Sequence, residues 1–191
     1  ENILKTFDEG YDSRLMMYLL SSPVQDGGQW DMFVNLIEKY GVLPQSVMPE
    51  SFQSSRSSMM NYHLTRKLRE FAWTLRKMNK KGASQVELRK EKESMLSTIY
   101  SMLCVCLGNP PETFDWQTRD KNKKFIRFSG LTPIDFYKKH VGVELTEKVC
   151  LIHAPMSNKK MSELYTIDFL GNVVGGNIIK YANVEINELK K

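Results

Sequence analysis

Met60, Leu64, Leu68, Phe71, Leu75 and Met78 recur every three or four residues, the spacing that lays one apolar stripe along an α-helix. Arg66, Lys67, Arg69, Arg76 and Lys77 fall on the opposite side. Lys80-Lys81-Gly82 closes this helix, and Ser84-x-x-Glu87 opens another as a capping box. In such a box the serine and glutamate side chains each satisfy a backbone N–H that the helix end leaves bare. The second helix runs to about Leu107, with Leu88, Met95, Ile99, Met102 and Cys106 on one side, until Asn109-Pro110-Pro111 stops it. Two long helices joined by so short a linker pack as an antiparallel pair.

The elements around this pair are shorter. Ser13 to Leu20 reads as a helix with Leu15, Met16, Leu19 and Leu20 inside, ended by Ser21-Ser22-Pro23. After Asp26-Gly27-Gly28 a helix is expected from about Gln29 to Tyr40. Trp30, Phe33, Val34 and Ile37 form its apolar side, and Gly41 takes a left-handed position at its end. Leu43 to Ser58 reads as loop, because Pro44, Pro49 and a serine run punctuate it. Beyond the helix pair, Thr113 to Thr118 and Lys123 to Phe128 read as a hairpin around Arg119-Asp120-Lys121-Asn122, with Phe114, Trp116, Ile126 and Phe128 on one face. Thr132-Pro133 starts a helix ending near His140. Lys148 to His153 and Leu164 to Phe169 are strand candidates, and Val184 to Leu189 a short helix. The class is α+β, with a helix-rich N-terminal half and short strands in the C-terminal half.

Composition bounds the rest. With 191 residues, 41% of them hydrophobic and 26% charged, the chain has the balance of a water-soluble domain. Its longest apolar runs, Leu15 to Leu20 and Met102 to Leu107, are six residues, far short of a membrane span. No signal-peptide pattern opens it, and Glu1 and Lys191 read as the ends of a piece of a longer protein. Cys104, Cys106 and Cys150 cannot all pair, and no Cys/His spacing suggests zinc. Reduced thiols and a cytoplasmic location are the simple inference. Positive charge is concentrated: Asn61 to Lys92 holds ten basic and three acidic residues.

The glycine pair carries the functional signal, since bare backbone lets another chain approach closely. Asp26-Gly27-Gly28 followed by a helix ending in Tyr40-Gly41 resembles the papain-like cysteine peptidases. Val42-Leu43-Pro44, Pro49-Glu50-Ser51, Cys106-Leu107-Gly108-Asn109-Pro110-Pro111-Glu112-Thr113-Phe114 and Leu164-Tyr165-Thr166 through Val174-Gly175-Gly176 narrow the resemblance to the bleomycin hydrolase and aminopeptidase C branch. It implies a partial papain-like fold with a long-helix insertion. Residues 1–50 would belong to the peptidase core, 51–112 to the insertion, and 113–191 to the return toward the core. It also implies a cytosolic aminopeptidase that acts on peptides through a thiol ester, needs no cofactor, and assembles as a hexameric ring.

In that family a Cys-Trp nucleophile segment precedes the glycine pair, and a histidine and an Asn-Ser-Trp segment follow far downstream. None of these stands in this sequence, so the piece is expected to be inactive alone. His153 echoes the family's His-Ala at the wrong place in the chain; a polar residue at a strand end is the plainer role. Cys150 lies in an apolar run and reads as a core thiol. His63 and His140 read as surface or partly buried structural residues. What the resemblance carries onto this chain is the substrate rim: Gly27 and Gly28 bonding an extended peptide through their backbone, with Gln29 and Trp30 at the next pocket. Two roles fit Trp30, a pocket wall and a core residue; Asp26 either caps the helix or orients the loop. Arg66, Lys67, Arg69, Arg76, Lys77, Lys80 and Lys81 form the surface for the rival reading, a helical module binding nucleic acid or a partner protein. A solvated helix face is the alternative to it.

Overall fold

A computed structural model describes residues 1–24 and 27–191 of the chain. In chain order the helices are α1 (Arg14–Ser21), α2 (Trp30–Tyr40), α3 (Phe52–Ser55), α4 (Ser58–Lys80), α5 (Gln85–Leu107), α6 (Pro133–Phe136) and α7 (Ile186–Leu189). The strands are β1 (Phe114–Arg119), β2 (Phe125–Leu131), β3 (Cys150–Ile152), β4 (Leu164–Tyr165) and β5 (Tyr181–Asn183). This is the α+β class expected, with long helices first and short strands after. The chain divides into two compact units, Glu1–Asp26 with Met48–Pro111, and Gly27–Val47 with Glu112–Lys191.

The first unit is built on α4 and α5. Ser84 caps α5 as expected: its hydroxyl accepts from the Glu87 N–H at 3.3 Å, and the Glu87 carboxylate accepts from the Ser84 N–H at 2.7 Å. Leu75 of α4 meets Leu88 and Met95 of α5, and Leu4, from a 3₁₀ turn at Asn2–Lys5, completes the buried cluster. Burying side chains of this size contributes roughly 1.5–3 kcal/mol each. Two expectations need correction. Arg76, placed on the solvent side by periodicity, is only 8% exposed. Its guanidinium donates to the Thr6 carbonyl at 2.7 Å and to the Glu9 carbonyl, and lies 4.7 Å from the centre of the Tyr11 ring. The N-terminal segment therefore covers a side of α4 that a lone helix would leave to water. The serine run is also not all loop. The Ser51 hydroxyl accepts from the Ser54 N–H at 3.2 Å, and the Ser54 hydroxyl donates back to the Ser51 carbonyl at 2.8 Å, which closes the single turn α3.

In the second unit α2 buries Val34 and Ile37 against Tyr137 and Leu145, flanked by Trp30 and Val42. Phe33, expected inside, is 50% exposed, whereas Asn35 on another side of the helix is 5% exposed. Gly41 ends α2 with φ +73°, and a Cβ there would lie 2.2 Å from the Pro133 backbone. Glycine is thus required twice, for the torsion and for the close approach. The β1–β2 hairpin pairs Trp116 with Phe128 and Thr118 with Ile126. Its turn is closed by the Asp120 carboxylate, which accepts from the Asn122 and Lys124 N–H groups at 2.8 and 2.9 Å. Phe114, Leu131 and Phe136 form a second buried cluster with Val42, Leu43 and Val47 beside it.

Thr132 caps α6 at the Asp135 N–H, with Pro133 in its first turn. The helix then widens into a π-turn, Tyr137–Val141, and stops at Gly142. A three-stranded sheet has the order β3-β5-β4, with β3 and β5 parallel. Its central strand β5 was not expected, and β4 is shorter than the candidate run. Asn183 of β5 is fully buried: its side chain accepts from the Ala154 N–H at 2.8 Å and donates to the Ala154 and Lys160 carbonyls at 3.2 and 3.1 Å.

Candidate functional site

Gly27 and Gly28 lead directly into α2, and both are exposed. Gly28 has no positive φ, and among the described residues a Cβ built on Gly27 meets nothing within 4 Å. A Cβ on Gly28 would only touch the Met32 sulfur at 4.0 Å. Packing among the described residues therefore does not ask for glycine at either position, unlike Gly41. Gln29 is the N-cap of α2 in an extended conformation, and its side chain makes no capping bond. Trp30 is half-buried against the α2 cluster, 5.7 Å from the Phe33 ring, and its indole N–H is buried without a hydrogen-bond partner among the described residues. That position satisfies the core role. Asp26 lies outside the described residues.

The first turns of α2 are clasped from behind by residues 172–180. The Asp31 carboxylate accepts from the Lys180 N–H at 2.7 Å. Asn35 meets Asn177 on both sides of its amide: the Asn177 N–H donates to Asn35 Oδ1 at 2.7 Å, and Asn35 Nδ2 donates to the Asn177 carbonyl at 2.9 Å. Asn172 Nδ2 donates to the Met32 carbonyl at 3.2 Å. A Cβ on Gly176 would stand 2.8 Å from Asn35 Cγ, so the second glycine of Val174-Gly175-Gly176 is where the Asn35 amide lies flat on backbone. Sequence reasoning missed Asp31 and Asn35. The available signal was an asparagine enclosed by Val34 and Leu36 on a helix otherwise amphipathic.

The basic residues of α4 are not one free face. Arg76 is buried, and Arg69 donates to the Leu20 and Ser21 carbonyls at the end of α1, both at 2.7 Å. Lys67 pairs with Glu70 at 3.0 Å. Arg66 bonds the Tyr62 hydroxyl at 2.9 Å, and Lys77 lies 4.6 Å from the centre of the Trp73 ring. Arg66, Lys77, Lys80 and Lys81 are exposed. The same unit holds an apolar groove of about 560 Å³, lined by Met60, Leu64, Met102 and Cys106 among others.

The decoy residues sit in structural surroundings. His153 Nδ1 is 2.9 Å from the Val184 carbonyl oxygen. His140 packs among Trp116, Phe128 and Phe136, its ring 4.3 Å from that of Phe128. His63 is exposed, with its ring edge-on to Tyr62. Cys104, Cys106 and Cys150 are unpaired and half-buried. Among the described residues no helix is long and apolar enough to cross a membrane.

The sequence matches the family model described as the peptidase C1-like family over residues 1–191. It is 47% identical to aminopeptidase C of Listeria innocua, covering all of this chain and 43% of that protein. It is 43% identical to bleomycin hydrolase of Homo sapiens over 185 residues, 96% of this chain and 41% of the relative. The crystal structure of PepW from Lactobacillus superposes on 99% of the chain and 42% of its own, with a TM-score of 0.96 at 46% identity. The chain thus spans less than half the length of these relatives.

Proposed function

Because the chain belongs to the peptidase C1-like family, we propose that Gly27 and Gly28 form a bare-backbone wall on which a peptide substrate lies extended, with Gln29 and Trp30 beside it. One observation carries this: two adjacent glycines are exposed where packing among the described residues does not ask for them. A residue type that the fold does not need is explained by what must approach it. A Cβ would stand between the approaching chain and the backbone groups that would bond it.

In this reading the chain is the middle part of a cysteine aminopeptidase that removes N-terminal residues from peptides through a thiol ester. The thiolate, imidazole and orienting amide come from segments outside residues 1–191, and the parent works in the cytoplasm as a hexameric ring. Backbone recognition makes few demands on substrate side chains, which suits an enzyme acting on varied short peptides.

Titration of the ¹⁵N-labelled chain with trialanine tests the wall. The Gly27 and Gly28 amide signals should shift, and Gly27→Val should remove those shifts. The variant should keep its unfolding free energy within about 0.5 kcal/mol, as expected for an open surface position. Absence of shifts in the unsubstituted chain, or their survival in Gly27→Val, would overturn the proposal.

A further inference from the structure

We propose that Asn35 is a positioning residue for the glycine wall: its amide, locked onto the Asn177 peptide group, holds the first turns of α2 and thereby the backbone of Gly27 and Gly28. This rests on the peptide-wall reading above and extends it to residues that never touch a peptide.

The argument begins with burial. An asparagine that is 5% exposed on a helix loses its hydration and is tolerated only where both halves of its amide find partners. Asn35 finds them on a single residue, since Asn177 supplies a donor to Oδ1 and an acceptor to Nδ2 at 2.7 and 2.9 Å. The pairing imitates one rung of a β-ladder, with a side-chain amide in place of a strand. It requires the neighbouring residue to be small, and Gly176 is the residue whose Cβ would collide with the amide.

The clasp is not confined to one rung. Residues 172–180 are tied to α2 at both ends as well, at the Met32 carbonyl through Asn172 and at the Asp31 carboxylate through the Lys180 N–H. Asp31 and Met32 lie in the first turn of α2, immediately after Gln29, where the glycines hand over to the helix. A neighbouring side of the helix is fixed separately, by Val34 and Ile37 in the apolar cluster. Apolar contacts hold α2 in place but leave it free to turn slightly about its axis. Directional bonds on a second side remove that freedom. A backbone wall needs such precision, because its hydrogen bonds to a peptide weaken steeply with misalignment.

The experiment combines ¹⁵N relaxation with trialanine titration on the full 191-residue chain. In Asn35→Ala the order parameters of Gly27 and Gly28 should fall below about 0.6, the range of flexible backbone. The α2 amide signals should persist, and the trialanine Kd should rise about tenfold, as for the loss of one buried polar anchor. Gly176→Ala should reproduce both changes from the other side, by displacing the Asn35 amide. Asn35→Asp, which keeps the shape and the acceptor but loses the donor, should lie between.

Unchanged order parameters at Gly27 and Gly28 in Asn35→Ala would overturn the proposal. If Asn35→Ala unfolds the second unit, Asn35→Asp decides on the same two readouts, and wild-type values there overturn it equally. Failure of the unsubstituted chain to bind trialanine would overturn the peptide-wall reading instead. The order parameters would then still decide whether Asn35 holds the glycines.

Discussion

At Arg76 a side chain that composition counts as surface charge is an internal strut. Its fork reaches two carbonyls of the N-terminal segment, at Thr6 and Glu9, while Tyr11 lies against the guanidinium plane. Arg76→Met keeps the aliphatic stem and deletes the fork, which leaves the Thr6 carbonyl with the Glu9 N–H alone and takes the guanidinium donor from the part-buried Glu9 carbonyl. Urea unfolding of that variant should show a loss of about 2–4 kcal/mol. Arg76→Lys should recover only part of it, since one ammonium cannot reproduce the planar geometry. Nothing in the spacing of α4 foretells this, because the partner carbonyls come from residues seventy positions away. Gly41 is the opposite case. Its role was legible from Tyr40-Gly41 alone as a helix stop, and only the contact with Pro133 had to be seen. For the candidate site, Gly27 and Gly28 stood out in the sequence as a motif, whereas Asn35 did not. Its meaning depends on Asn177, which no local pattern connects to it.

Among the elements, those governed by short-range chemistry were readable. The α5 start is written in Ser84 and Glu87, the α6 start in Thr132 and Pro133, and the hairpin in its alternation. β5 was not, because Tyr181-Ala182-Asn183 has neither alternation nor β-branched residues; it becomes a strand through its neighbours β3 and β4. The α5 cap also responds to acid. The Ser84 backbone N–H, then its hydroxyl, hold the Glu87 carboxyl below the usual glutamate range. The cap's contribution is therefore complete above that range and is lost as pH falls through the depressed value. The urea midpoint of the first unit should drop on acidification, and Glu87→Gln should drop less over the same interval. Equal slopes for the two proteins would show that the carboxylate contributes nothing.

At the scale of the whole molecule, the chain matches relatives at 47% and 43% identity while spanning less than half their length. The thiols of Cys104, Cys106 and Cys150 are half-buried, and the ring nitrogen of His153 faces a backbone carbonyl rather than a thiol. The purified 191-residue chain should therefore release no fluorophore from an aminoacyl fluorogenic substrate. Turnover that disappeared in Cys150→Ala would contradict both the peptide-wall assignment and the view that the reacting groups lie elsewhere.

Val47 and Phe114 share one apolar cluster, although the whole excursion from Met48 to Pro111 lies between them in sequence. The polypeptide leaves that patch and re-enters it, so the two doorways are anchored by the same side chains. Closure of the second unit at Val47 and Phe114 therefore sets where the chain departs for α4 and α5 and where it comes back.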